Sequence, residues 1–83
     1  MTELVFELFA GLARLAHADE VRVVVSHEVA TVGEAVSALA QARPELASLI
    51  ERCACVSGDT IVRRQAPLSA DGRIALLPPV AGG

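Results

Sequence analysis

Two glycines, Gly82 and Gly83, close the 83-residue sequence directly after Leu76-Leu77-Pro78-Pro79-Val80-Ala81. Neither carries a Cβ, so this tip is thin and conformationally free. The prolines have no backbone donor and cannot extend a sheet ladder. They favour a stiff polyproline II segment rising about 3.1 Å per residue, which lets residues 79–83 project about 15 Å. Such a tip can thread a narrow tunnel and present its carboxylate to a buried reaction centre. The carboxylate is ionised at neutral pH and is a poor electrophile until activated, for instance as an acyl-adenylate.

The remaining chemistry-bearing residues read more plainly. Cys53-Ala54-Cys55 places two thiols on one face of a strand, where a bridge between them would close a strained ring. Neither His17 nor His27 stands at zinc-ligand spacing from them. The cysteines therefore read as buried strand residues in a reducing compartment. The sequence shows no nucleophile–base pair at a recognisable spacing, no Gly-rich phosphate loop and no metal set. It predicts no enzyme acting on its own, no metal and no bound cofactor.

The elements that must position the tip follow from local patterns. Glu3 to Phe9 alternates, with Leu4, Phe6 and Leu8 on one face and Glu3, Val5, Glu7 and Phe9 on the other, as in a half-buried strand. Leu12, Leu15 and Ala16 have helical spacing. Val21 to Ser26 is β-branched and predicts a second strand, hairpinned to the first. Thr31-Val32-Gly33-Glu34 matches a capping box, and the helix after it lines up Val32, Val36, Leu39 and Ala40. Pro44 ends that helix by pushing Arg43 out of the α region, and Glu45 to Ile50 forms a further short turn. Cys53–Val56, Thr60–Val62 and Arg73–Leu77 read as strands, separated by turns at Ser57-Gly58-Asp59 and Ala70-Asp71-Gly72.

Composition bounds the function. A chain of this size is one small domain without room for a deep cleft. Hydrophobic residues make up 53% of it, so partners are expected to cover part of its surface. A net charge of -3, with Phe6 and Phe9 its sole aromatics, argues against nucleic-acid binding. No apolar run approaches a membrane span, and Glu3 and Glu7 occupy the place of a signal peptide's basic region. The sequence predicts a soluble, cytoplasmic protein.

With these residues assembled, the sequence resembles the family of molybdopterin synthase small subunits. The resemblance rests on Phe9-Ala10-Gly11-Leu12-Ala13-Arg14, the Thr31-Val32 helix start, Pro67-Leu68, and above all Leu76 to Gly83. Where the family commonly has an acidic turn before the last strand, this chain has Ala70-Asp71-Gly72-Arg73. The resemblance implies an α+β, ubiquitin-like β-grasp: a mixed sheet of about five strands, first and last adjacent and parallel, with one main helix across it. Residues 1–78 would form the domain and 79–83 the tail.

It also implies a mechanism and a site. An ATP-consuming, ubiquitin-activating-enzyme-like adenylyltransferase would adenylate Gly83, and sulfur would replace AMP to leave a thiocarboxylate. The charged tail would enter the large synthase subunit, in a heterotetramer, and supply sulfur to cyclic pyranopterin monophosphate in molybdenum cofactor biosynthesis. Gly83 is the reacting group; Gly82, Ala81, Val80, Pro79, Pro78, Leu77, Phe9 and Ile61 would contact the partners. Two other readings stand beside this one: a sulfur carrier for cysteine or thiamine synthesis, and a ubiquitin-like protein modifier.

Overall fold

The computed structural model describes residues 1–79. Its elements run β1 (Thr2–Leu8), α1 (Ala10–Ala16), β2 (Glu20–Val25), α2 (Val32–Ala42), a 3-10 turn (Pro44–Leu46), α3 (Ala47–Ile50), β3 (Ala54–Ser57), β4 (Thr60–Val62) and β5 (Arg73–Leu77). The five strands form one sheet in the order β2-β1-β5-β3-β4. β1 and β5 pair in parallel, with Phe6 opposite Ile74 and Leu8 opposite Leu76. The other pairings are antiparallel. The expected mixed five-strand sheet with its central first and last strands is therefore present. The expected main helix across the sheet is α2, and the described residues hold two further helices beside it. α2 has 11 residues and the other two are short, with 7 in α1 and 4 in α3.

Alternation dictates which way the sheet faces. Leu4, Phe6 and Leu8 of β1, Val21 and Val23 of β2, Cys55 of β3, and Ile74 and Leu76 of β5 are buried in one cluster with Val32, Ala35, Val36 and Leu39 of α2. Each Val, Leu, Ile or Phe among them contributes roughly 1.5–3 kcal/mol when fully buried. Leu12 and Ala16 of α1 and Leu46 and Ile50 of the short turns close the ends of the cluster. Leu15, which shares the helical spacing, instead points outward at 45% exposure. Val5 was expected on the solvated face, yet it is 5% exposed. It stands between Arg22 and Arg73 in register, whose aliphatic stems are long enough to cover it.

α2 begins as its sequence requires. The Thr31 hydroxyl accepts from the Glu34 backbone N–H at 3.2 Å. Two further N–H groups of the first turn are taken up by the irregular segment between β4 and β5: Val32 donates to Ala66 O at 3.0 Å and Gly33 to Arg64 O at 2.8 Å. Helix starts leave such donors without intrahelical partners, so this segment is held against α2 by the helix's own unmet hydrogen bonds. The Arg64 guanidinium in turn donates to Ile50 O at 2.8 Å, the end of α3.

Gly72 admits β5 to the centre of the sheet. Its φ is +65, and Val5 N–H donates to its carbonyl at 2.9 Å. A Cβ there would lie 2.8 Å from the Glu3 carbonyl oxygen, closer than real Cβ contacts allow.

Candidate functional site: the root of the tail and the outer sheet face

β5 delivers the tail. Its last residue, Leu77, alternates with the buried Ile74 and Leu76 and is 39% exposed on the face of the sheet away from α2. Pro78 follows, half-buried, and Pro79 is exposed. The strand stops there because neither proline nitrogen can donate to a ladder. Val80, Ala81, Gly82 and Gly83 lie outside the described residues.

Register places the other expected contact residues. Ile61 is opposite Val56, and Val56 is opposite Ala75. Leu77 is opposite Ala54. Residues paired across strands share a face, so Ile61, Val56, Ala75, Ala54 and Leu77 form one apolar area over β4, β3 and β5. Ile61 is its most exposed large member, at 72%. Ile61 and Leu77 thus come to one face, two strand spacings apart. Phe9 is not a strand residue. It keeps an extended backbone (φ -131, ψ 155) but serves as the residue before α1. It follows Leu8, the partner of Leu76, and so leaves the sheet level with Leu77, 43% exposed. Ala10 then takes φ +50, a left-handed conformation that costs an alanine about 1 kcal/mol. This turn ends β1 at Leu8 and directs the chain into α1.

Sequence reasoning missed Val56 and Ala54 as members of this face. Alternation along Cys53–Val56 carried the signal for them. It also missed a chain of ion contacts on the same face. Arg22 reaches Glu3 at 3.5 Å and Glu20 at 3.1 Å, and Arg73 reaches Glu20 at 3.4 Å and Glu7 at 3.0 Å. Arg73 is held more firmly protonated than an ordinary arginine, chiefly by its hydrogen bond to Glu7. Next to it, the Asp71 carboxylate accepts from the Ser69 hydroxyl at 2.6 Å and from the Arg73 N–H at 3.1 Å. The Ser69 bond is the main reason that its pKa falls below the ordinary value.

The cysteines belong to the core. Cys53 and Cys55 are free and buried, and the Cys53 thiol donates to Leu49 O at 3.3 Å. Burial raises the pKa of both. Reactivity needs the thiolate, which burial disfavours at both. Among the described residues no group of His, Cys, Asp and Glu side chains is placed to hold a metal ion. No helix among them is long and apolar enough to cross a membrane. A depression runs along α2, with Val23, His27, Glu34 and Gln41 in its lining. It is remote from the tail root, on the α2 side of the sheet.

Comparison with known proteins fits this arrangement. The ThiS family model matches residues 6–83. The chain belongs to the ThiS family. ThiS-type proteins are ubiquitin-fold sulfur carriers, and this domain is of that kind. SAMP1, the small archaeal modifier protein 1 of Haloferax volcanii, is 32% identical over 99% of this chain and 100% of its own, with a TM-score of 0.82. The fold is also that of a molybdopterin converting factor subunit 1 from Pyrococcus furiosus, at 16% identity over 96% of this chain and 100% of that one (TM-score 0.77). A complex of subunits 1 and 2 of the molybdopterin-converting factor from Helicobacter pylori matches at 22% identity over 99% and 100%, with a TM-score of 0.65. None of the curated proteins compared with the chain by sequence is a match.

Proposed function

We propose that this ThiS-family protein is the sulfur carrier subunit of a molybdopterin synthase, with Gly83 as its reacting group. The observation that carries the reading is the placement of the tail's root. The central strand β5 runs out through Leu77 into Pro78 and Pro79, beside the apolar face formed by Ile61, Val56, Ala75, Ala54 and Leu77, and the family match extends to residue 83. Residues 1–78 form the rigid body in this reading, and 79–83 are the part that travels between active sites.

The chemistry follows from the inertness of a carboxylate. A Gly83 oxygen attacks the α-phosphorus of ATP in the adenylyltransferase and expels pyrophosphate. The acyl-adenylate has AMP as a leaving group, which a sulfur nucleophile displaces to give the thiocarboxylate. That sulfur then passes to cyclic pyranopterin monophosphate inside the large subunit. The adenylyltransferase and the large subunit supply the catalytic side chains. This chain contributes position, through Leu77, Ile61 and Phe9 at the docking face, and slenderness, through Gly82 and Gly83.

The test weighs the intact protein after incubation with ATP, a sulfur donor and the adenylyltransferase, then supplies it to the large subunit with the pterin precursor. The expected result is the gain of one sulfur for one oxygen, followed by dithiolene formation, both abolished by deletion of Gly83. A Gly83-deleted protein that still supports cofactor synthesis refutes the reading. A second reading is favoured by the likeness to SAMP1, whose name is that of a modifier: Gly83 joined to lysine side chains of other proteins. In that case the activated chain forms conjugates and leaves the pterin precursor unconverted.

A further inference from the structure

One register row crosses the entire outer face: Glu20 opposite Glu7, Glu7 opposite Ala75, Ala75 opposite Val56, Val56 opposite Ile61. Its β2–β1 end is two carboxylates and its β5–β3–β4 end is three apolar side chains. Like charges directly opposite each other destabilise a sheet, so folding gives no reason for the Glu20–Glu7 pair. The structure tolerates it by setting Arg73 against both, at 3.4 and 3.0 Å. Arg22 is likewise shared between Glu20 and Glu3. Both guanidinium groups are thereby engaged twice. The Oε2 atoms of Glu3 and Glu7 accept no hydrogen bond among the described residues. Three carboxylates against two guanidiniums leave this half of the face net negative, with carboxylate oxygens left to accept.

We propose that the outer sheet face is one two-part docking surface whose partner is a protein presenting an apolar pocket opposite Ala75, Val56 and Ile61 and a rim of lysine or arginine opposite Glu3, Glu7 and Glu20. The inference rests on the carrier reading above and adds the chemistry of the partner's surface to it. The two halves divide the work. The apolar half beside the tail root sets how long a complex lasts. The acidic half steers the approach and fixes the orientation in which the tail meets the tunnel, since complementary charges act mainly on association rate and specificity. A partner covering Leu77 and Ala75 necessarily lies within reach of Glu7, which is paired with Ala75.

Stopped-flow association with the adenylyltransferase and with the large subunit tests this at salt between about 0.01 M and about 1 M, where the Debye length shrinks from roughly 30 Å to roughly 3 Å. The expected result for the wild type is a rate that falls steeply with salt. Glu3→Gln combined with Glu7→Gln should lower the low-salt rate by about fivefold and flatten the slope, with dissociation changed by less than about twofold. Glu51→Gln, at the end of α3 on the other side of the molecule, removes a net charge too and should match the wild type. Equal rates and slopes for the two Glu→Gln proteins overturn the inference, as does a rate that rises on neutralising Glu3 and Glu7. A wild type that binds neither partner overturns the docking reading itself, whereas binding with a salt-independent rate overturns this inference alone.

Discussion

At the scale of single residues, the ones that matter here are those whose exposure runs against their chemistry. Leu77 ends a strand whose other leucine, Leu76, is fully buried, yet it faces outward beside the prolines. An exposed leucine alone is unremarkable; one flanked by Ala54, Ala75, Val56 and Ile61 on a single face is part of a surface. Leu77→Asp should therefore weaken binding to the large subunit by about 2 kcal/mol or more, on the scale of interface anchors, while leaving the unfolding midpoint of the free protein nearly unchanged. Calorimetric titration checks this, and an unaltered affinity returns Leu77 to ordinary surface. Cys53 and Cys55 show the opposite case. They read from the sequence as buried strand residues, and they are free thiols buried in the core.

At the scale of elements, the decisive constraint is the entry of β5 between β1 and β3. That strand carries the tail root, so its placement decides where the tip emerges. Gly72 makes the entry sterically feasible. Gly72→Ala meets both a left-handed backbone and a Cβ at 2.8 Å from Glu3 O. Gly58 has nearly the same φ, +61, with nothing near its Cβ direction, so Gly58→Ala isolates the backbone cost of about 1 kcal/mol. Gly72→Ala should cost about 2 kcal/mol or more, with denaturant unfolding of the two variants as the comparison. Equal losses would show that the close approach of Gly72 to β1 constrains nothing. Ala10 marks the other element boundary. Its left-handed turn ends β1 one residue earlier than alternation alone predicts and leaves Phe9 at the rim of the face.

At the scale of the whole molecule, stability follows ionisation on both sides of neutrality. Asp71 and Glu45 have lowered pKa values, through Ser69 and Arg43 respectively. Each binds its proton less tightly when folded, so its contribution is present above its unfolded pKa and is lost as pH falls through the folded one. Cys53 and Cys55 are raised by burial, so the folded state favours their neutral form, and stability falls as pH rises past the ordinary thiol value of 9.0. The thermal midpoint should be level near neutrality and decline below about pH 4.5 and above about pH 9. Asp71→Asn should be less stable than the wild type at pH 7 and converge with it in acid. A constant difference between the two across the acid range would remove Asp71 from the account.

The sequence by itself determined the alternating strands, the Thr31 start and Pro44 end of α2, the turns at Gly58 and Gly72, and the stop of β5 at the prolines. Each is a local matter: side-chain period, a hydroxyl three residues from its donor, a missing N–H, a missing Cβ. The neighbouring of β1 and β5 came from the family resemblance, because alternation does not say which strands pair. Tertiary structure alone decided that Glu20, Glu7, Ala75, Val56 and Ile61 stand in one row. Arg73 and Glu7 lie 66 residues apart in sequence, and their contact exists only because a parallel pairing sets Glu7 beside Ala75. A face of a sheet is a property of register between distant segments, and no local pattern encodes it.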